Sequence, residues 1–348
     1  MWHLYYNIHD LLNVEVCGNR RFDKSKVLRY SFFETEKADN PDIILRIGKF
    51  APSNQGCQVV GQKYHIKDNY VYYRFSGWRA KWEVEISGFE TGSTKVNFNG
   101  TVRNLKGFLF PSLLPQDILT PLIEYKLAQK NCFLLHGGAV AKDMDTACIL
   151  IGRGGALKTS LIMDLVRHGF SLLGDDRFIL GAEKVTSFIV SPFYIDYELS
   201  HMATEERSFL DTVRLLRRML RSHQKYTLPV LTSSVPKAIL FIERKDRTGI
   251  KKSGLNLQQA VSKLIANNKL DMELPAPSTP YGYFLQLMLA YSFIFPQSQI
   301  ASYWDNLRSG LEGSLKEVPC YLLEIPLEYN TSVFQEASNL LDDVVRSA

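Results

Sequence analysis

Alternating apolar and polar residues in the first third of the chain predict β-strands with one buried face. Trp82, Val84 and Ile86 alternate with Glu83 and Glu85. A two-residue period places the two sets on opposite faces of a strand. The pattern therefore predicts a sheet that is apolar on one side and polar on the other.

Turn signals between the apolar runs of this region predict hairpins. Tyr64–Ile66 and Tyr70–Phe75 are separated by three polar residues, and Asn99-Gly100 separates two further short runs. Asn-Gly is the sequence that the tightest two-residue hairpin turn favours. We therefore expect residues 1–107 to form an antiparallel β-rich domain.

The pattern changes in the rest of the chain, where strand-like and helix-like segments alternate. Cys148–Ile151 and Phe170–Leu173 are short apolar runs of the kind that form buried strands. Between them Leu161 and Leu165 stand four residues apart, the spacing of one face of a helix. Residues 108–348 are therefore predicted to form an α/β domain with helices towards its C-terminal end.

The same criteria predict the remaining elements. They are the strands Asp42–Ile47, Phe133–Leu135, Lys237–Ile242 and Cys320–Glu324 and the helices Gln116–Lys130, Glu205–His223, Leu255–Ile265, Phe284–Phe295, Gln299–Leu311 and Ser332–Val345. One face of helix 205–223 is rich in arginine, which fits either a solvated surface or the docking of an acidic group. A charged cluster, Glu243–Arg247, follows the strand 237–242 and is either a polar loop or a phosphate contact.

A glycine-rich loop lies between the first apolar run of the α/β domain and the helix after it. Backbone N–H groups in such a loop, together with the N-terminus of the following helix, bind phosphate. A lysine then reaches the outer phosphates, and a Ser or Thr hydroxyl binds Mg²⁺. Lys158 and Thr159 stand in these positions. The expected nucleotide-binding residues are Gly152, Arg153, Gly154, Gly155, Ala156, Leu157, Lys158, Thr159 and Ser160.

This loop departs from the pattern G-x-x-x-x-G-K-[ST] at one position. Leu157 stands where the second glycine is expected. Glycine allows backbone angles that a branched residue resists. The substitution therefore predicts a loop that is either strained or altered in its affinity for phosphate.

Three features of the α/β domain together resemble the kinase domain of the HPr kinase/phosphorylase family. They are His136-Gly137 before a short strand, the loop Gly152–Thr159, and Asp175-Asp176-Arg177, 17 to 19 residues after Lys158. The resemblance covers roughly residues 130–180. It implies a P-loop fold akin to that of phosphoenolpyruvate carboxykinase, with ATP and Mg²⁺ as the cofactors.

The resemblance also implies roles for the residues that match. His136 and the pair Asp175 and Asp176 are expected around the γ-phosphate, where they assist deprotonation of a serine hydroxyl and bind metal. Thr159 and one of the two aspartates would hold Mg²⁺, and Lys158 would hold the β- and γ-phosphates. Which aspartate is the base and which the metal ligand stays open.

The acceptor that this family resemblance implies is a serine of a protein or peptide. Some relatives act on the sugar-transport carrier HPr, and others modify precursor peptides of natural products, including lasso peptides. The C-terminal half lacks a recognisable phosphorylase signature, so we expect a peptide-modifying relative. The β-rich domain would then bind the peptide, and a homo-oligomer is possible by analogy with the HPr enzyme.

Two other functions compete with the kinase hypothesis. Leu157 is also compatible with a degenerate loop in a nucleotide sensor or scaffold without catalysis. A GTPase is the third alternative, but Asn268–Asp271 matches the guanine signature N-K-x-D only in its letters, because it follows a helix rather than a strand. Lys158, Thr159, Asp175 and Asp176 argue against full loss of the site, because a scaffold has no physical need for that combination.

Composition narrows the class of protein further. The chain has 348 residues, of which 45% are hydrophobic and 22% charged, as in ordinary globular proteins. The net charge of +5 is modest, and we expect no nucleic-acid partner and no membrane association. The five scattered cysteines include no C-x-x-C pair. With no secretory signal evident, we expect a cytoplasmic protein.

Overall fold

The computed structural model shows a mixed α/β protein with a large β-rich N-terminal region. It describes residues 1–18, 30–77, 80–102, 113–190, 228–273, 280–327 and 331–347. The predicted helix 205–223 and the predicted domain boundary after residue 107 lie outside these residues. None of the helices in the described ranges is long and apolar enough to cross a membrane.

The elements have the following bounds in chain order. The strands are β1 Trp2–Ile8, β2 Leu12–Gly18, β3 Glu34–Thr35, β4 Ile43–Ile47, β5 Gln58–Val60, β6 Tyr64–Lys67, β7 Tyr70–Ser76, β8 Ala80–Ser87, β9 Thr94–Val102, β10 Phe133–His136, β11 Gly138–Asp143, β12 Thr146–Gly152, β13 Ser171–Gly174, β14 Arg177–Leu180, β15 Val185–Thr186, β16 Ser233–Ser234, β17 Pro236–Lys245, β18 Lys251–Leu255 and β19 Cys320–Pro326. The helices are a 3₁₀ turn, Ser31–Phe33, and α1 Leu113–Ala128, α2 Lys158–Arg167, α3 Leu257–Glu273, α4 Pro280–Ile294, α5 Tyr303–Ser314 and α6 Thr331–Ser347.

Internal contacts divide the chain into two compact units that are discontinuous in sequence. Residues 1–134 and 268–309 form the first unit, and residues 135–267 and 310–348 form the second. Residues 268–309 belong to the first unit by their contacts, although their sequence predicts them as part of the second domain.

The first unit contains a nine-stranded sheet in the order β3-β1-β2-β4-β9-β8-β7-β6-β5. Its predicted antiparallel character is wrong in part, because β2 pairs with β4, and β4 with β9, in parallel. Hairpin signals describe only strands that follow each other closely. A long connection can return the chain to the same end of the sheet, and this is the condition for parallel pairing. Residues 19–42 and 48–93 provide these connections.

The predicted alternation in β8 is confirmed, with Trp82 and Ile86 buried on one face. The opposite face is polar, yet Glu85 on that face is only 7% exposed. Its carboxylate accepts hydrogen bonds from the Tyr70 hydroxyl at 2.8 Å and from Asn97 Nδ2 at 2.7 Å. These donors offset the cost of removing the carboxylate from water.

The predicted turn at Asn99-Gly100 is wrong, because β9 runs through both residues. Asn99 Nδ2 donates to Glu83 Oε1 at 2.8 Å across the strand pair. Gly100 lies opposite Trp82, and a Cβ at residue 100 would lie 2.9 Å from Phe98 Cζ. Glycine is therefore placed there by the close approach of aromatic side chains and not by a turn.

Two helices pack beside this sheet in the first unit. α1 contacts β2, β4 and α4, and α4 also contacts β6. Leu119 and Leu122 of α1 are buried. The Tyr291 hydroxyl of α4 accepts a hydrogen bond from the backbone N–H of Asn69 at 3.0 Å. The helices thus bury apolar surface and also fix the turn between β6 and β7.

The second unit contains a six-stranded sheet in the order β13-β11-β12-β17-β19-β18. β12, β17 and β19 are parallel, whereas β11 runs antiparallel to β12. α2 and α6 contact each other, and Leu161, Leu165 and Leu341 from these helices share a buried cluster with Leu150 and Leu240 of the sheet. A four-stranded sheet, β10-β14-β15-β16, completes the strands described.

Two glycines of the loop between β8 and β9 allow backbone strain and steric clash to be measured separately. Gly88 and Gly92 both have positive φ, +73° and +77°. A Cβ at residue 88 would lie 2.4 Å from the Ser93 carbonyl oxygen, whereas at residue 92 nothing lies within 4 Å. We expect Gly92→Ala to lower the free energy of unfolding by about 1 kcal/mol, and Gly88→Ala by about 3 kcal/mol.

Urea unfolding followed by circular dichroism measures both variants against the unmodified protein. The Gly92 variant is the control for the cost of positive φ. Equal losses in the two variants would show that the Ser93 carbonyl does not crowd residue 88 in solution.

Candidate active site

The glycine loop begins where β12 ends, in the middle of the six-stranded sheet. Gly152 pairs with Ile242 of the parallel strand β17. A Cβ at residue 152 would lie 2.9 Å from the Ile242 carbonyl oxygen and 3.0 Å from Ala156 Cβ. Glycine at residue 152 therefore lets the loop turn back close to the sheet before α2 begins at Lys158.

The loop takes left-handed backbone angles at two positions. Gly155 has φ +80°, and Leu157, directly before α2, has φ 67° and ψ 12°. Leu157 thus adopts the conformation that glycine takes most readily. Its side chain packs against the buried cluster of the unit, so packing offsets part of the strain at this position.

The Lys158 side chain folds back to the first residues of the loop. Its Nζ donates to the Gly152 carbonyl oxygen at 2.5 Å and reaches the Arg153 carbonyl oxygen at 3.5 Å. An added Cβ would meet nothing within 4 Å at Gly154 or Gly155. The loop therefore has open space beside its central residues and a single ammonium group over its first carbonyls.

Asp175 approaches the loop from the end of β13. Thr159 Oγ1 donates to Asp175 Oδ2 at 3.2 Å. Asp175 is 8% exposed, and Ser160, the next residue of α2, is also buried. A hydroxyl and a carboxylate at this distance are two hard oxygen ligands of the type that Mg²⁺ binds.

Asp176 points to a different neighbour, His136 at the end of β10. His136 Nδ1 lies 3.5 Å from Asp176 Oδ1, and the side chains are 12% and 69% exposed respectively. The backbone N–H of Gly137 donates to the Asp176 carbonyl oxygen at 3.0 Å. The histidine is thus largely buried, while the carboxylate beside it is open to solvent.

Two close approaches hold these two pairs next to the loop. A Cβ at Gly138 would lie 2.0 Å from Ile162 Cδ1 of α2, so β11 runs tightly under the helix. A Cβ at Gly174 would lie 2.0 Å from the Arg177 carbonyl oxygen, so the chain turns sharply around the aspartate pair. Glycine at both positions brings the acidic turn to the start of α2.

The structure thus gathers the residues that the sequence singled out. Lys158 and Thr159 begin α2, Asp175 contacts Thr159, and Asp176, the next residue in the chain, lies beside His136. Arg153 belongs to the loop, and its guanidinium donates to Asn267 of α3. Ser160 is buried within the unit. Direct phosphate contacts are therefore expected from the loop backbone, Lys158 and Thr159.

Sequence reasoning missed Asn267, a residue of α3 that is 6% exposed. Its Nδ2 donates to the His136 carbonyl oxygen at 2.8 Å. Arg153 Nη1 donates to the Asn267 carbonyl oxygen at 3.1 Å and approaches its Oδ1 at 3.3 Å. A single asparagine in a helical pattern carries no sequence signal for such a contact.

Arg244 is a second neighbour of the loop, from the charged cluster that follows the core of β17. Its Nη1 lies 3.4 Å from the Gly155 carbonyl oxygen, and its Nε donates to the Pro326 carbonyl oxygen at 2.7 Å. Its other terminal nitrogen donates to the Leu327 carbonyl oxygen. Arg244 is therefore a neighbour of the loop backbone, and a contact of cluster 243–247 with phosphate stays a prediction.

Comparisons with known proteins do not assign this site. No protein-family model matches the chain, and no curated protein matches it either. The resemblance to HPr kinases therefore stays an expectation that rests on the residues of the site.

The left-handed conformation of Leu157 can be tested by comparing two truncations. Leu157→Ala and Leu157→Gly remove the same packing against the cluster, but only glycine relieves the strain of positive φ. We expect the glycine variant to be more stable than the alanine variant by roughly 1 kcal/mol, the reverse of the order in a helix interior.

Urea unfolding of both variants gives the difference directly. As a matched control, the same two substitutions at Leu161, which is buried within α2, should favour alanine over glycine. An alanine variant at residue 157 that equals or exceeds the glycine variant would contradict the left-handed conformation.

Proposed function

We propose that this protein is an ATP-dependent kinase that transfers the γ-phosphate to a serine hydroxyl of a protein or peptide. The observation that carries the proposal is the contact of Thr159 with Asp175 directly after Lys158 at the start of α2, with the pair His136–Asp176 beginning at the next residue after Asp175. A phosphate-binding loop, a metal-binding pair and a base beside them are the parts that phosphoryl transfer requires. The resemblance to HPr kinases, whose fold is akin to that of phosphoenolpyruvate carboxykinase, supports the same reading.

The loop and Lys158 would hold the donor phosphates. Backbone N–H groups of such a loop and the N-terminus of α2 favour anions. The Lys158 ammonium now donates to the Gly152 carbonyl oxygen, and a bound phosphate would replace that acceptor. The positive charge would then lie next to the oxygen atoms that gain negative charge during transfer.

Thr159 and Asp175 would hold the magnesium ion. Their oxygen atoms are 3.2 Å apart and match the hard ligands that the ion prefers. When bound, the ion would neutralise charge on the donor phosphates. Because Asp175 is buried and already faces Thr159, we assign the metal-binding role to Asp175.

Asp176 and His136 would serve the acceptor. Asp176 is exposed, so an acceptor hydroxyl can reach its carboxylate, and the largely buried His136 lies 3.5 Å away to orient it. The serine oxygen would attack the γ-phosphorus as the bond to the β-phosphate oxygen breaks. The serine proton would pass to Asp176, leaving phosphoserine and ADP.

A second function, a nucleotide sensor or scaffold without catalysis, is favoured by one observation. Leu157 keeps its left-handed conformation at the cost of backbone strain at a loop position where glycine would carry no such strain. The two functions differ in whether bound ATP is consumed.

Calorimetry of Mg·ATP binding tests the phosphate site. We expect binding by the unmodified protein and at least about tenfold weaker binding by Lys158→Ala, because a charged hydrogen bond to phosphate is lost. Lys142→Ala is the control, since Lys142 is an exposed lysine of the same unit. Absence of binding by the folded unmodified protein would contradict the kinase proposal, and binding by Leu157→Gly alone would favour a degenerate site.

The two aspartates should separate metal binding from transfer. We expect Asp175→Asn to weaken Mg·ATP binding by about tenfold or more while changing binding of metal-free ATP little. Asp176→Asn should leave Mg·ATP binding within about threefold and lower serine phosphorylation by about 100-fold or more. Calorimetry with and without Mg²⁺ measures binding, and a phosphoserine assay on a peptide library measures transfer.

The opposite assignment, with the metal on Asp176 and the base at Asp175, would give a different result. If the asparagine variant of residue 176 loses the Mg²⁺ dependence of binding and the variant of residue 175 does not, then Asp176 holds the metal.

A further inference from the structure

Asn267 connects two parts of the site that come from distant parts of the chain. Its side-chain N–H donates to the carbonyl oxygen of His136, at the end of β10. Its backbone carbonyl oxygen, and its Oδ1 at a longer distance, face the guanidinium of Arg153, the first residue after Gly152. One helical residue therefore contacts both the phosphate loop and the strand end that carries the histidine.

Because Asn267 is buried, its amide depends on these protein partners for its hydrogen bonds. Asn267 is 6% exposed, and a buried amide is stabilised only where its donors and acceptors are satisfied. A shorter, apolar side chain would remove the hydrogen bond to the His136 carbonyl oxygen and the longer contact of Oδ1 with Arg153, and would leave only the backbone contact with Arg153. The side-chain link between the loop and the strand end of His136 would then be lost.

We propose that Asn267 is a positioning residue that fixes the phosphate loop relative to His136. Bound phosphate and the pair His136–Asp176 then keep the relative positions that transfer requires. This proposal rests on the proposed function. It predicts that Asn267 contributes little to holding ATP, because the loop backbone, Lys158 and Thr159 do that. Its contribution appears in the rate, since displacements of about 1 Å between reacting groups cost up to about 100-fold.

The experiment compares Mg·ATP affinity with the rate of ATP cleavage. Calorimetry gives the dissociation constant. Single-turnover cleavage of γ-³²P-labelled ATP, with the protein in excess and water as the acceptor, gives the rate without a known peptide. In this reaction a water oxygen attacks the γ-phosphorus, the bond to the β-phosphate oxygen breaks, and ADP, phosphate and a proton are released.

Two substitutions at residue 267 and one control separate the possible roles. Asn267→Ala removes the side-chain hydrogen bonds. Asn267→Asp is nearly the same shape and still accepts from Arg153, but when ionised it cannot donate to the His136 carbonyl oxygen. Asn268→Ala removes the next amide of α3, which is 3% exposed, and so reports the general cost of losing a buried asparagine from this helix.

For both Asn267 variants we expect a Mg·ATP dissociation constant within about threefold of the unmodified protein and cleavage slower by about 10- to 100-fold. The Asn268 variant should cleave ATP at the unmodified rate. Circular dichroism melting confirms that each variant is folded under the assay conditions.

Other outcomes overturn the proposal in distinguishable ways. Unchanged cleavage in either Asn267 variant, or an equal loss in the Asn268 variant, rules out a positioning role. A loss of ATP affinity as large as that of Lys158→Ala would make Asn267 part of the binding loop instead. If the unmodified protein does not bind Mg·ATP, the proposed function itself fails, and the positioning role fails with it.

Discussion

The position of β12 in the centre of the six-stranded sheet is the constraint on which the candidate site depends. Ala147, Cys148, Ile149 and Leu150 are fully buried, with β11 on one side and β17 on the other. The strand cannot shift without breaking both sets of backbone hydrogen bonds. Its end at Gly152 is therefore a fixed point, from which the loop, Lys158 and Thr159 take their places.

The loop that leaves this fixed point is held from outside as well as from the sheet. Arg153 reaches the carbonyl oxygen of Asn267, and Arg244 lies beside the carbonyl oxygen of Gly155. Both arginines donate to backbone carbonyl oxygens, and inside the loop the N–H of Ala156 donates to the Arg153 carbonyl oxygen at 3.0 Å. Such bracing also explains how Leu157 can stay in a strained conformation, because local strain persists where the surroundings determine it.

The two neighbouring aspartates show how one turn can supply two kinds of carboxylate. Asp175 is buried against Thr159, whereas Asp176 is exposed beside His136. Their environments differ although their sequence positions are adjacent, and environment is what gives paired carboxylates separate roles. The sharp turn around Gly174 produces this difference by sending successive side chains to different neighbours.

Local patterns in the sequence determined several of the strands and helices and the place of the glycine loop between them. The alternation around Trp82 and Ile86, the helical spacing of Leu161 and Leu165 and the glycines before Lys158 act over a few residues, so the sequence alone predicted their structures. Tertiary structure decided what depends on distant partners. Gly100 serves an aromatic contact with Phe98 and not a turn, parallel pairing joins β4 to β9, and Asn267 meets Arg153 and His136. Hydrogen bonds and close packing between residues far apart in sequence leave no periodic signal, because each requires one matching partner and no repeat.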